Sequence, residues 1–85
     1  MSYYVYILRC SDDTLYTGYT NNLENRLLKH NSGKGAKYTR GRTPCILVYY
    51  EEYDSKSDAL KREYFIKHKM NREDKIRMIK MSSEG

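Results

Sequence analysis

The sequence has no tryptophan, a single proline and no apolar run long enough to cross a membrane. It also lacks the spaced motifs of several enzyme classes. The GxxxxGK[ST] loop of nucleotide hydrolases, HExxH zinc helices, paired CxxC motifs and nucleophile-elbow serines are absent. The sequence therefore supports none of these chemistries, and we expect neither membrane association nor a small-molecule cofactor.

Cysteine is scarce as well. Cys10 and Cys45 both fall in apolar segments, and their spacing fits no metal-binding motif. We expect two buried thiols in a reducing compartment and a cytoplasmic protein. Eighty-five residues predict one domain spanning 1–85, with its core at about 3–80, as a monomer. A core this small favours a shallow active-site groove over an enclosed cavity.

Acidic residues are missing from Asn25 to Tyr50, although the chain has eleven of them against sixteen Lys and Arg, a net charge of +5. This stretch carries the cations Arg26, Lys29, Lys34, Lys37, Arg40 and Arg42. A block of one sign concentrates positive potential and attracts polyanions. It favours nucleic acid as the partner. The alternative is a solvated basic face that binds nothing.

The first part of the chain predicts a β-hairpin followed by a helix. Residues 3–8 (YYVYIL) are apolar on both alternating faces, which indicates a central strand covered on both sides. A turn at 11–13 leads to a second strand over 15–20. Asn21, with Glu24 as capping-box partner, opens a helix that runs to about residue 31 and ends at Gly33.

The second part predicts a strand and two helices after a glycine-rich basic loop over 32–44. Residues 45–53 form the strand, in which the adjacent carboxylates Glu51 and Glu52 are expected to be solvated, as are Asp12 and Asp13 of the hairpin. Capping boxes then open helices to about residues 70 and 81, formed by Ser55 with Asp58 and by Asn71 with Asp74. The predicted class is α/β (α+β), with a small three-stranded antiparallel sheet flanked by helices in the order β-β-α-β-α-α.

Tyr6 and Tyr16 lie on the two strands of the hairpin, and the loop length decides whether they share a face. A two-residue loop would place them on opposite faces, since strand side chains alternate with a period of two. A three-residue loop with Asp13 in the left-handed region pairs Leu8 with Tyr16 and puts both tyrosines on one face. Gly18, the only glycine in a predicted strand, would allow a close approach there. The alternative is ordinary aromatic packing.

Two further groups could take part in chemistry. Arg26 and His30 are four residues apart on one helix face, where an arginine can stabilise a reacting phosphate and a histidine can transfer a proton. Such pairs also occur on solvated helix faces. Glu63 lies on the same apolar stripe as Ala59 and Ile66 and therefore needs a partner. That partner is either a structural one, an ion pair or a buried tyrosine, or a hard cation such as Mg²⁺.

These residues, in this order, resemble the GIY-YIG nuclease superfamily. The two family triads correspond to Tyr4-Val5-Tyr6 and Tyr16-Thr17-Gly18, with ten residues from Tyr6 to Tyr16 and ten more to Arg26. The segment NNLENRLLKH is similar to the family's first helix, and Glu63 in ALKREYFIKH holds the place of its metal-binding glutamate. The loop SGKGAKYTRGRTP and the short length are similar to the small stand-alone bacterial UPF0213 group.

The resemblance implies a metal-dependent endonuclease that hydrolyses phosphodiester bonds in nucleic acid, DNA in preference to RNA. Tyr6 and Tyr16 would position and deprotonate the attacking water, Arg26 would orient the phosphate, and His30 would transfer a proton or contact phosphate. Glu63 would hold one Mg²⁺ or Mn²⁺ ion. Backbone phosphates would be contacted by Lys34, Lys37, Arg40 and Arg42.

Three positions depart from or limit the resemblance. Tyr4 replaces the glycine of the first triad and Thr17 the isoleucine of the second, but neither position carries the chemistry. Asn71 is interpreted as a helix cap and not as a metal neighbour. The alternative function is a nucleic-acid-binding module that keeps the scaffold but cleaves weakly or not at all.

Overall fold

The computed structural model describes residues 1–84. They form β1 (Tyr3–Arg9), β2 (Leu15–Thr20), α1 (Leu23–Asn31), a short 3₁₀ helix (Lys37–Thr39), β3 (Ile46–Tyr53), α2 (Lys56–Lys69) and α3 (Arg72–Glu84). The α+β class and the order β-β-α-β-α-α are confirmed. Two boundaries lie later than expected, because β1 continues to Arg9 and α3 to Glu84. None of the helices within this described range is both long and apolar enough to cross a membrane.

The sheet has the strand order β2-β1-β3, and both outer strands run antiparallel to β1. Four consecutive side chains of β1, Val5 to Leu8, are at most 1% exposed. Strand side chains alternate between the two faces, so burial at all four positions means that β1 is covered on both sides. The prediction of a central strand is confirmed.

The two faces of the sheet carry separate cores. On one face, Val5 and Ile7 pack with Ala59 and Ile66 of α2. On the other face, Tyr6 and Leu8 pack with the two cysteines, and Leu23 and Leu27 of α1 cover them. Cys10 and Cys45 are free thiols and buried, as predicted. β3 contributes to both cores, with Tyr49 in the first and Leu47 in the second, and its pairing with β1 is irregular between Ile7, which faces Tyr49, and Leu8, which faces Leu47.

The helix caps follow the predicted chemistry, with one correction. Asn22, not Asn21, caps α1: its backbone is extended and its side chain accepts a hydrogen bond from the amide of Asn25 at 3.0 Å. The hydroxyl of Thr20 selects this asparagine by accepting from the Asn22 amide at 3.1 Å. Gly33 follows the helix in the left-handed region, with φ +80°.

The two later caps lie at the predicted residues, and the second forms both hydrogen bonds of a capping box. The hydroxyl of Ser55 accepts from the amide of Asp58. Asn71 and Asp74 bond reciprocally, each side chain accepting from the other's amide, at 2.8 and 3.2 Å. This reciprocal pair fits the interpretation of Asn71 as a helix cap.

One carboxylate is misassigned by the sequence. Glu51 was expected to be solvated, but its side chain is only 18% exposed and binds Arg62 of α2. The alternation of β3 explains the error, because Glu52 points to the exposed side while Glu51 points towards α2, where the arginine compensates its charge. Asp12 and Asp13 are exposed as expected.

Candidate active site

The hairpin turn brings Tyr6 and Tyr16 to the same face of the sheet. Asp13 adopts φ +68°, and the register pairs Leu8 with Tyr16, which is the three-residue turn and not the two-residue alternative. The two tyrosine rings lie with their centres 6.4 Å apart. Tyr6 is buried, whereas Tyr16 is partly exposed. Tyr16 is therefore the hairpin tyrosine that a substrate can reach.

Gly18 provides the space that the Tyr6 ring occupies. A Cβ atom at Gly18 would lie 2.5 Å from Cζ of Tyr6 and against its hydroxyl oxygen. No side chain fits at that separation, so the ring of Tyr6 can lie across the hairpin only because position 18 has none. The close approach expected at this glycine is made by a neighbouring tyrosine.

Helix α1 presents Arg26 and His30 to the hydroxyl of Tyr6. Nε2 of His30 lies 2.9 Å from this hydroxyl, and Nε of Arg26 donates to it over 3.4 Å. Three of the five residues predicted for the site are thus joined directly by hydrogen bonds. The ring of His30 also makes edge contacts with Tyr6 and Tyr16, at 5.9 and 5.3 Å between centres. The spacing of four on one helix face, observed in the sequence, produces this convergence.

His30 is enclosed by the glycine-rich loop. Its Nδ1 atom lies 2.8 Å from Oγ1 of Thr39, and the backbone of Gly35 packs so closely that a Cβ there would be 2.5 Å from Nδ1. No part of the imidazole is exposed, so in this arrangement its two nitrogens contact Tyr6 and Thr39 and not solvent. Thr39 and Gly35 were missed by the sequence interpretation, since a loop has no periodicity that would single them out.

Burial determines the protonation of this pair. Desolvation, and then the neighbouring charge of Arg26, lower the pKa of His30, so the imidazole is neutral at pH 7. Desolvation is also the largest cause that raises the pKa of Tyr6 to about 12, against the hydrogen bond from Arg26 that lowers it. Tyr6 therefore keeps its proton at neutral pH.

Glu63 approaches the tyrosines from α2, along the edge strand β2. Its carboxylate forms an ion pair with Lys67 at 3.4 Å, and the Lys67 ammonium lies 5.8 Å from the centre of the Tyr16 ring. The charge of Glu63 also contributes to raising the pKa of Tyr6. As the sequence indicated, Ala59 and Ile66 on its stripe are fully buried, while the Glu63 side chain is 20% exposed. Lys67 therefore links the carboxylate to the ring of Tyr16.

Glu63 is the carboxylate of the candidate site that could ligate a hard cation such as Mg²⁺. No cluster of three or more Asp, Glu, His or Cys suited to a metal occurs within residues 1–84. Mg²⁺ nevertheless binds with one or two carboxylates and keeps several waters, so a single accessible glutamate meets its minimum requirement. The cation would have to compete with Lys67 for the carboxylate.

The four loop cations differ in their freedom to contact a phosphate. Lys34, Lys37 and Arg40 are exposed. Arg42 instead donates to Asp12 at 2.9 Å and to the carbonyl of Tyr38 at 2.7 Å.

Arg42 also lies over the ring of Tyr38, at 4.3 Å from its centre, and that ring stacks on Tyr16 at 5.7 Å. The loop therefore contributes an aromatic neighbour to Tyr16. Tyr38 was not predicted as part of the site, and nothing in the sequence distinguishes it from the other nine tyrosines.

Comparison with known proteins places this geometry in a family context. A family model described as the GIY-YIG catalytic domain matches residues 2–77. A UPF0213 protein of Clostridium perfringens is 56% identical over 80 residues, which cover 94% of this chain and 85% of that protein. A UPF0213 protein of Natronomonas pharaonis is 56% identical over 77 residues, covering 91% and 89%.

Two solved structures are also similar. The solution NMR structure of a UPF0213 protein from Bacillus halodurans has 48% sequence identity and a TM-score of 0.62, covering 95% of this chain and 85% of that one. The solution NMR structure of a protein from E. faecalis has 40% identity and a TM-score of 0.66, covering 100% and 90%. Both match this chain over 95% or more of its length.

Proposed function

This chain belongs to the GIY-YIG catalytic domain family, and on that premise we propose that it is a divalent-metal-dependent endonuclease hydrolysing phosphodiester bonds in nucleic acid. The observation that carries the proposal is the hydrogen-bonded group of Tyr6, Arg26 and His30 with Tyr16 beside it. These residues come from two strands and a helix. A purely structural cluster would not need an arginine held by a neutral hydroxyl.

In the proposed reaction, Tyr16 and Arg26 meet the substrate. Of the two tyrosines Tyr16 is the partly exposed one, so it positions the attacking water; once its own hydroxyl proton has passed to solvent, its phenolate oxygen accepts the proton of the water. Arginine has five N–H donors and the bond to Tyr6 uses the one on Nε, so the terminal nitrogens can bind a phosphate oxygen. Charge that develops on the phosphate is stabilised by this guanidinium.

Tyr6 and His30 act behind these two groups. Tyr6 is buried and protonated, and its oxygen holds Nε of Arg26 in place. His30 fixes the hydroxyl of Tyr6 in turn. We propose that both are positioning residues, since neither reaches the surface.

Glu63 would hold the single Mg²⁺ or Mn²⁺ ion. When bound, such an ion would polarise the phosphate and stabilise the leaving oxygen. The exposed cations Lys34, Lys37 and Arg40 would contact backbone phosphates, with a smaller share for Arg42 because Asp12 already neutralises it. We propose DNA as the substrate, cleaved in the cytoplasm by a monomer.

A matched pair of glutamate variants tests the proposal. Purified protein should nick DNA in the presence of Mg²⁺ or Mn²⁺, and Glu63→Gln should abolish nicking. Glu73→Gln is the control, because it makes the same change of charge at an exposed position on α3. Equal nicking by the wild type and Glu63→Gln would indicate a contaminating nuclease and contradict the assignment. RNA, flaps and junctions belong in the same panel of substrates.

The second candidate is a binding module without efficient catalysis. It is favoured by the ion pair of Glu63 with Lys67, which satisfies the carboxylate without a metal. Titration of labelled DNA at increasing salt discriminates the two functions. Salt-sensitive binding that persists in Glu63→Gln, together with no cleavage of any substrate by the wild type, would establish the binding module.

A further inference from the structure

The hydroxyl of Thr39 has two neighbours and one proton. It donates to the carbonyl of Ala36 at 3.0 Å, and Nδ1 of His30 lies 2.8 Å from the same oxygen. Because the proton of the hydroxyl is directed to the carbonyl, Thr39 meets Nδ1 with a lone pair. In that arrangement Nδ1 carries a proton and donates it, whereas in the reverse arrangement Thr39 would donate to a bare Nδ1.

The hydrogen bonds at the opposite end of the imidazole are satisfied by the same assignment. The buried hydroxyl of Tyr6 lies between Nε2 of His30 and Nε of Arg26. Arginine is a donor only, so Nε2 is the group of this pair that can accept the Tyr6 proton. A proton on Nε2 would leave the Tyr6 O–H, which is 1% exposed, without either of them as acceptor.

We propose that Thr39 is a positioning residue that selects the Nδ1-protonated tautomer of His30 and thereby orients Tyr6 and Arg26. The resulting chain runs from Nε–H of Arg26 to the Tyr6 oxygen, from the Tyr6 O–H to Nε2, and from Nδ1–H to Thr39 and the Ala36 carbonyl. Each member donates in the same direction. If Thr39 donated to Nδ1 instead, the ring proton would lie on Nε2, and Nε2 could no longer accept the hydrogen bond from Tyr6.

The neighbouring groups support a neutral imidazole. The ionisable groups that face His30 are Tyr6 on β1, Tyr16 on β2 and Arg26 on α1. Arg26 is positive and none of these three residues is a carboxylate, so nothing in this set favours a second proton on the ring. Gly35 completes the arrangement, because its missing side chain lets the loop lie flat against Nδ1.

The catalytic part of this inference rests on the proposed function, but the tautomer does not. The nitrogen NMR shifts of the imidazole in isotope-labelled protein distinguish a protonated ring nitrogen from a bare one, with no metal or substrate present. The wild type at pH 7 should show a protonated Nδ1 and a bare Nε2. A protonated Nε2 in the wild type would overturn the proposal.

Two substitutions at position 39 isolate the hydroxyl. Thr39→Val keeps the branched shape but removes the acceptor, so the signature of a single Nδ1-protonated tautomer should be lost. Thr39→Ser keeps the hydroxyl and should retain it. An unchanged signature in Thr39→Val overturns the proposal. Should Thr39→Val fail to fold, loss of the signature in Thr39→Ser would do the same, since that variant retains the hydroxyl.

Nuclease activity supplies the second readout. Thr39→Val should reduce kcat by about 10- to 100-fold, by analogy with residues that orient metal-ligating histidines through a hydrogen bond, while Thr39→Ser retains activity. These measurements distinguish failure of the endonuclease proposal from failure of the proposal about Thr39. An inactive wild type with the expected tautomer removes the endonuclease proposal alone, whereas an active wild type with an unaltered Thr39→Val removes this one.

Discussion

Two arginines of this protein lie beside tyrosine hydroxyls, but they differ in whether a carboxylate neutralises their charge. Arg62 on α2 binds Glu51 through Nε at 2.9 Å and Nη2 at 3.0 Å, and two further tyrosines, Tyr49 and Tyr53, donate to the same carboxylate. Arg26 on α1 donates to a neutral tyrosine, and within residues 1–84 it forms no ion pair with a carboxylate. The charge of Arg62 is therefore neutralised by Glu51, whereas the charge of Arg26 has no carboxylate beside it in the described residues.

The difference separates a structural cluster from a candidate catalytic one. Burial opposes the charge of Glu51, but hydrogen bonds from Arg62, Tyr49 and Tyr53 outweigh it and lower the pKa of the carboxyl. Burial and the bond to Glu51 raise the pKa values of both tyrosines to about 12. In the Glu51 cluster the positive and negative charges therefore balance each other, and we call it the closed cluster. The positive charge of Arg26 beside Tyr6 is instead available to an anion. We expect the first cluster to affect stability and the second to affect catalysis.

The sharpest test exchanges the two arginines for alanine. Arg26→Ala should reduce kcat by about 10²- to 10³-fold, because it removes the donors that stabilise charge on the phosphate. Arg62→Ala should keep kcat near the wild-type value at temperatures where it is folded, because it lies in the closed cluster. Steady-state cleavage and urea unfolding of both variants provide the data. Similar catalytic losses in the two variants would contradict the division into two clusters.

The next largest expected effect is a loss of stability when the carboxylate of Glu51, at the centre of the closed cluster, is removed. Glu51→Gln leaves Arg62 without its counter-ion, which should lower the free energy of unfolding by about 1–3 kcal/mol. We expect less than for a fully buried pair, because the Arg62 side chain is 32% exposed. Urea denaturation measures the loss. Glu52→Gln, on the exposed side of the same strand, is the control and should change stability by no more than about 0.5 kcal/mol.

The two clusters should respond to acid in different pH ranges. The pKa of His30 is lowered from its ordinary value of 6.5 by burial beside Arg26 and the two hairpin tyrosines. Below pH 6.5 the unfolded chain takes up a proton that folded His30 does not, so stability falls as the pH decreases. The pKa of Glu51 is lowered from 4.5, so its contribution is present above pH 4.5 and is lost as the pH falls through the folded value.

Unfolding measured from pH 7 to 3 in two variants would separate these contributions. His30→Gln should flatten the part of the profile just below pH 6.5, and Glu51→Gln should leave that part unchanged. Asp12, whose pKa is lowered mainly by its bond with Thr14, also contributes in the acid range. An unchanged profile in His30→Gln would show that the folded protein binds a proton at this position as readily as the unfolded chain.

The smallest expected effect is on the salt dependence of DNA binding by the loop cations. Here too, a cation without a carboxylate partner should contribute more than one that is already paired. Each exposed cation that contacts a phosphate should contribute about 0.9 to the slope of log binding constant against log salt. Lys37→Ala should therefore reduce the slope, and Arg42→Ala should reduce it less, because Asp12 already pairs with Arg42. Fluorescence titrations with duplex DNA at several salt concentrations measure both slopes. Equal reductions would mean that Arg42 leaves Asp12 on binding.

The order of strands and helices could be predicted because local signals were strong. The hairpin turn, the capping residues Ser55 and Asn71, and the unbroken apolar run of β1 each act over a few residues. The exception shows the limit of such signals. Asn21 and Asn22 have the same capping chemistry, and the hydroxyl of Thr20 decides between them.

The candidate site was predicted where regular elements carry it and missed where the loop carries it. Arg26 and His30 follow from helix periodicity, whereas the shared face of Tyr6 and Tyr16 depended on which of two turns the hairpin adopts. Thr39, Gly35 and Tyr38 belong to a segment without periodicity, so their contacts with His30 and Tyr16 depend on how the loop folds back. The chemistry of the predicted residues stays a prediction until cleavage is measured.

The sequence alone determined which residues lie on one helix face or one strand face, because those relations depend on local geometry and side-chain periodicity. It did not determine which charges would be neutralised. Glu51 and Arg62 are eleven residues apart on different elements, and their pairing required α2 to pack against the sheet. Only the tertiary structure could show that Arg62 is paired with a carboxylate and Arg26 with a tyrosine hydroxyl, because burial and hydrogen-bond partners depend on packing between distant segments.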